Sequence, residues 1–175
     1  MKDYFRNRKI LEDGLAYSKD MEHDACGVGL IASTEGKKSR KVVEYGINAL
    51  KAVWHRGAVD ADGKTGDGAG IHLEIPSDFF AEKIELTGHD HDGSEICVGM
   101  IFLPRNNYQA QENARTLVES ELTKSNFSIY GWRQVPVNPK VLGEKANLTR
   151  PEITQVLFKH NNKDLTEKEL ERKIY

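Results

Sequence analysis

The chain has 175 residues, 38% apolar and 30% charged, with a formal net charge of −2. That length supports one domain with a real core, and the near-neutral balance removes the electrostatic case for nucleic acid or an anionic membrane surface as a partner. Two distant cysteines, Cys26 and Cys97, with no CxxC and no paired histidine spacing, exclude a disulfide framework and a zinc site and fit a reducing compartment.

Residues 1–25 are polar and weakly patterned and read as a leader. The segment Met1–Lys9 carries charge with no apolar stretch behind it, so it is not a secretory signal. Asp3, Glu12 and Asp13 argue against an organelle transit peptide, and no run approaches the roughly 18 apolar residues of a membrane span. The expected location is therefore cytoplasmic. Cys26 to Ser33 (CGVGLIAS) reads as a strand, and 34–40 as a polar turn. Val42, Val43, Ile47, Leu50, Val53 and Trp54 recur at helical spacing, which predicts an amphipathic helix over roughly 40–54. Residues 57–68 form a glycine- and aspartate-rich loop. The alternation in 70–75 predicts a half-buried strand stopped by Pro76, and Ser77 is a candidate N-cap for a short helix to Lys83. After a charged loop over 87–95, Ile96–Leu103 is a continuous apolar run ended by Pro104, the pattern of a covered strand. A helix follows over 108–124, a strand over 127–137, a long loop over 138–151 and a strand over 153–159. Thr166 and Glu169 then form a candidate capping box for a last helix. The chain stops inside that helix at Tyr175, which predicts a piece of something longer. The class these elements predict is α+β.

The densest stretch runs from His55 to Gly70. Gly63-Lys64-Thr65 has the ending of a phosphate loop, but the glycine needed five positions earlier is Ala58, and three aspartates would repel phosphate. An EF-hand starting at Asp60 would need Asp or Asn where Lys64 stands and glutamate where Ile71 stands. The remaining reading is a loop whose glycines let backbone pass close to a substrate or a neighbouring strand. His89-Asp90-His91-Asp92 fits a solvated loop better than a metal cluster. Cys97, Trp54 and Trp132 are expected to be packing residues.

Cys26 stands where a polar, acidic leader gives way to an apolar run with small glycines. A thiol there is open to a substrate, although a buried core cysteine is the competing reading. If the chain were cut between Ala25 and Cys26, the same residue would carry an α-amine of pKa about 7.7–8.0, a plausible base for its own thiol.

Taken together, Ala25-Cys26-Gly27-Val28-Gly29, Leu50 through His55-Arg56-Gly57-Ala58, Ala61-Asp62-Gly63, Thr65-Gly66-Asp67-Gly68-Ala69-Gly70-Ile71 and Ile75-Pro76 with Phe79-Phe80 resemble the start of the glutamate synthase large subunit. That region is a class II glutamine amidotransferase domain of the N-terminal-nucleophile hydrolases. The resemblance implies a four-layer αββα sandwich, incomplete in this chain, with 1–25 a removable propeptide and 26–175 the N-terminal part of the domain. It implies Cys26 as the catalytic nucleophile, cleavage between Ala25 and Cys26, and Gly27 and Arg56 beside the substrate pocket. Glutamine would be hydrolysed, and its ammonia used to aminate 2-oxoglutarate reductively to glutamate. FMN and an iron–sulfur cluster are implied for further domains, none for this segment. The implied partners are the rest of the synthase polypeptide and a small reductase subunit or ferredoxin as electron donor. In the family an Asn-Gly pair supplies the oxyanion donors and an arginine holds the substrate carboxylate. This chain has Asn161-Asn162 and no Asn-Gly, so those groups are expected beyond Tyr175. The competing reading is an inactive fragment whose Cys26 stays blocked behind Ala25. A truncated sheet is also expected to leave Ile96–Leu103 and Ile153–Phe158 as uncovered strand edges.

Overall fold

The computed structural model describes residues 6, 9–10, 27–54, 57–162 and 164–174. Two compact units divide the chain, residues 1–58 and residues 59–175.

In the first unit the predicted helix forms as α1, Arg40–Ala52. Ser39 caps it by accepting the N–H of Lys41 at 3.2 Å, one of the donors a helix start leaves unpaired. Arg40 and Glu44 pair one turn apart at 3.4 Å. Val42, Val43, Ile47 and Leu50 are only half-buried, and no α1 residue is fully covered. Trp54, expected to pack, is 75% exposed.

The second unit is built on a three-stranded antiparallel sheet with order β1-β3-β2, flanked by helices. In chain order it comprises α2 (Ser77–Glu85), β1 (Cys97–Leu103), α3 (Tyr108–Lys124), β2 (Phe127–Gln134), α4 (Glu144–Thr149), β3 (Glu152–His160) and α5 (Glu167–Ile174). Cys97 pairs with Phe158 and Leu103 with Glu152 across β1 and β3, while Phe127 pairs with His160 and Gln134 with Thr154 across β2 and β3. Because strand residues alternate between faces, neighbours on β3 feed different layers. Leu157 joins Phe80, Ile84, Ile96 and Tyr130 on the α2 side. Val156 and Phe158 join Cys97, Phe127 and Leu170 on the other, where Val118 and Leu122 of α3 complete the layer. A bulge interrupts β2 between Ile129 and Gly131. Gly131 adopts φ +147°, and a Cβ there would press on the Thr87 methyl at 3.0 Å, so the bulge requires glycine.

Two helices start as their sequences predict. Asn107 accepts the N–H of Ala110 at 3.0 Å to cap α3. Thr166 N–H donates to Glu169 Oε2 at 2.9 Å, and Glu169 N–H donates back to Thr166 Oγ1 at 3.4 Å, a capping box.

The corrections concern one cap and the extended segments: Ser77, a candidate N-cap, is the first residue of α2, which Pro76 precedes without a side-chain cap. Residues 27–33 and 70–76 form no strand. Val28 and Leu30 are 93% and 90% exposed, and Ile71 and Leu73 are also exposed. Alternation or an apolar run makes a strand only where a ladder partner exists, and none pairs with these segments among the described residues. The long loop over 138–151 instead holds a 3₁₀ turn, Pro139–Val141, and the short helix α4. Ile153–Phe158, expected at an edge, lies in the central strand; the edges are β1 and β2.

Candidate functional site

Ala25, Cys26 and Arg56 lie outside the described residues, as does His55. Gly27 is described and exposed, at the head of the irregular segment 27–33. A Cβ added at Gly29 would meet nothing within 4 Å.

The glycine-rich loop is well defined within the second unit. Val59 and Gly66 form an isolated antiparallel bridge, and Asp60 N–H donates to the Thr65 carbonyl at 2.7 Å. The turn between them closes on one carboxylate. Asp62 Oδ1 accepts the N–H groups of Lys64 and Thr65 at 2.9 and 2.7 Å, and its Oδ2 accepts the Thr65 hydroxyl at 2.5 Å. These donors, the Thr65 hydroxyl first, hold the Asp62 carboxyl well below the usual carboxylate range. Asp62 is thus committed to its own turn.

Residues far along the chain complete this loop. Lys145 Nζ lies 2.8 Å from both oxygens of Asp60. Ala146 N–H in the first turn of α4 donates to Thr65 Oγ1 at 3.4 Å. Gly143, the N-cap of α4, brings no side-chain cap, and a Cβ there would collide with Thr65 Oγ1 and the Asp62 carboxylate. Sequence reasoning missed this contact because its halves are some 80 positions apart. Its only local trace is a helix start with glycine where a capping side chain is usual.

Cys97 is 5% exposed in the core. Burial, with a smaller contribution from the Glu95 charge, pushes its thiol up to about 11. That is the setting of an inert packing cysteine. The 89–92 loop is mostly exposed, but His91 is half-buried. His91 Nε2 lies 2.9 Å from the Ser94 carbonyl, and His89 and His91 both sit edge-on to the Tyr130 ring. Asp92 pairs with Lys159 at 2.8 Å, and this carboxylate raises the Lys159 pKa. Among the described residues no group of three or more His, Cys, Asp or Glu could hold a metal ion, and no helix is long and apolar enough to cross a membrane. A cavity of about 330 Å³ lies beside Ser94, Glu95, His160 and Leu170.

Comparison with known proteins gives the family. The large chain of an NADPH glutamate synthase from Azospirillum brasilense is 52% identical over 173 residues, covering 99% of this chain and 11% of that protein. A ferredoxin-dependent glutamate synthase from Synechocystis is 42% identical over 78% of this chain and 9% of its own length. An NADH glutamate synthase from Saccharomyces cerevisiae is 38% identical over 81% of this chain and 7% of its own length. The chain thus spans about a tenth of the length of the curated relatives it matches. Residues 26–175 match the class-II glutamine amidotransferases from Cys26 onward, and the chain belongs to that family of enzymes.

Proposed function

We propose that this chain is the glutamine-hydrolysing part of a glutamate synthase, with Cys26 as its nucleophile. The observation that carries the reading is the family match over 26–175, which opens on Cys26; the likeness to three synthases with different electron donors supports it. In this reading residues 1–25 are a propeptide cut between Ala25 and Cys26. Gly27 keeps the approach to the sulfur open, Arg56 orders the pocket wall, and the glycine-rich loop 57–70 passes close to the substrate. The three-stranded sheet with its flanking helices belongs to a four-layer αββα sandwich completed by more chain. The setting is cytoplasmic.

The chemistry follows from a thiol and an amine on one residue. The Cys26 α-amine takes the thiol proton, and the thiolate attacks the side-chain amide carbon of glutamine, forming a C–S bond and a tetrahedral oxyanion. Preorganised donors stabilise that oxyanion by about 3–4 kcal/mol each. The protonated amine returns the proton to the amide nitrogen, the C–N bond breaks and ammonia leaves. Water, deprotonated by the same amine, then cleaves the thioester to glutamate and free thiol. The ammonia aminates 2-oxoglutarate elsewhere in the synthase polypeptide. FMN and an iron–sulfur cluster would belong to those other domains, supplied with electrons by a reductase subunit or ferredoxin.

The test is Cys26→Ala in the intact synthase. Glutamine-dependent glutamate formation should vanish while ammonia-dependent formation persists. Loss of glutamine-dependent activity in Cys97→Ala instead would overturn the assignment.

A further inference from the structure

We propose that Thr65, Gly143 and Lys145 are positioning residues for glutamine hydrolysis, clasping the loop 59–70 in the form it presents to substrate. This rests on the glutaminase reading above.

A turn over 60–65 needs only local bonds, and it has them in the Val59–Gly66 bridge and the Asp62 carboxylate. The contacts to α4 add nothing to the shape of that turn. What they fix is its place. Thr65 Oγ1 gives its proton to Asp62 and accepts the N–H of Ala146, so one hydroxyl joins turn and helix. It stands in for the cap that Gly143 lacks. The glycine at 143 is itself demanded by the contact, since a Cβ would strike both Thr65 and Asp62. Lys145 adds a bidentate grip on Asp60.

The glycines that follow point to what is being placed. Gly68 adopts φ +84°, so its conformation explains it. Gly70 has no such φ, and a Cβ there would meet nothing within 4 Å. Neither strain nor packing among the described residues asks for glycine at 70. A backbone kept bare at that point suits a ligand approaching it closely. Because ordering a glycine-rich segment costs about 1–2 kcal/mol per residue, an anchor outside the loop is what such a surface requires before substrate arrives.

The experiment uses the intact synthase and compares Thr65→Val, which keeps the shape and removes the hydroxyl, with Thr65→Ser, which keeps the hydroxyl. Lys145→Ala and Lys145→Arg form a second pair at an exposed site where folding is not at stake. Thr65→Val should lower kcat/KM for glutamine roughly tenfold or more, mainly through KM, because misplacement of a positioning element is costly. Thr65→Ser should restore it. Lys145→Ala should raise the glutamine KM severalfold, with Arg restoring it. Amide-exchange protection of β1, β2 and β3 in each preparation reports folding of this segment; if Thr65→Val fails that control, the Lys145 pair decides. Glutamine kinetics unchanged in Thr65→Val and Lys145→Ala, with only a lowered melting temperature, would make the clasp purely structural and overturn the proposal. Absence of glutamine hydrolysis in the unsubstituted protein would instead defeat the parent reading.

Discussion

The indole N–H of Trp132 donates to Glu119 Oε1 at 2.6 Å, fastening β2 to α3. Arg115, one helical turn before Glu119, lies 5.8 Å from the centre of the same indole. Ring, carboxylate and guanidinium thus form one joint between sheet and helix. Trp132→Phe keeps much of the packing but leaves a half-buried carboxylate without its donor, which should cost about 1–2 kcal/mol. Amide exchange in β2 and β3 of the intact protein should then speed up roughly 5–30-fold. Glu119→Gln, which retains an acceptor oxygen, should show a smaller effect. Equal exchange rates in Trp132→Phe and the parent would remove the joint from the account.

Two groups make opposite contributions to pH dependence. The Cys97 thiol titrates in the folded chain at about 11, above the ordinary 9.0. Between those values the unfolded chain has lost a proton that the folded chain keeps, so stability should fall as pH rises through that window. Asp62 is held below the carboxylate range. Its contribution is present above an ordinary value of about 3.9 and is lost as pH falls below it. Asp62→Asn should flatten the acid limb, and Cys97→Ala the alkaline one, in thermal melts across pH. The same burial predicts that at pH 8 iodoacetamide modifies Cys26 in the processed enzyme but reaches Cys97 only after denaturant. Rapid labelling of Cys97 in native protein would contradict its place in the core.

Where a segment's structure is decided locally, the sequence displays it. The helix over 108–124, with Asn107 as its cap, and the Thr166–Glu169 box are local hydrogen-bonding decisions. The apolar run ending at Pro104 identified β1, although the strand is not covered throughout: Cys97, Val98 and Ile101 face the core layers and Leu103 is buried, while Met100 and Phe102 stay exposed. Extended segments at 27–33 and 70–75 were misread because a strand depends on a partner that periodicity does not name. The same non-locality hid the placing of the 59–70 loop, since Thr65 meets Gly143 and Ala146 only through the fold. Family membership was legible from clustered motifs at Cys26, His55-Arg56-Gly57 and Thr65–Gly70, residues whose use is chemical rather than architectural.

Leader removal makes a prediction in mass. While Ala25 is attached, the Cys26 nitrogen is an amide and cannot accept the thiol proton. Active intact synthase should therefore lack residues 1–25 by intact-mass measurement, with Cys26 as the first residue. Full glutaminase activity in protein that still carries Met1 would sink the amine-base mechanism.

Residues 26–175 expressed alone should hydrolyse no glutamine and should self-associate. The chain has no Asn-Gly pair to supply oxyanion donors, and loss of one such donor costs about 10²–10³ in rate. Without an arginine to hold the substrate carboxylate, the positioning that makes attack efficient is lost as well. The association follows from the sheet. β3 is paired on both sides, whereas no strand among the described residues pairs with the outer edge of β1. On β1, Met100 and Phe102 are 48% and 64% exposed. An open edge carrying exposed apolar side chains recruits further strands. Light scattering on this segment should therefore show species larger than a monomer, and Phe102→Lys should reduce them by placing a charge on that edge. A monomeric, cooperatively folding segment that releases glutamate from glutamine would mean that the oxyanion donors and carboxylate clamp already lie within 26–175.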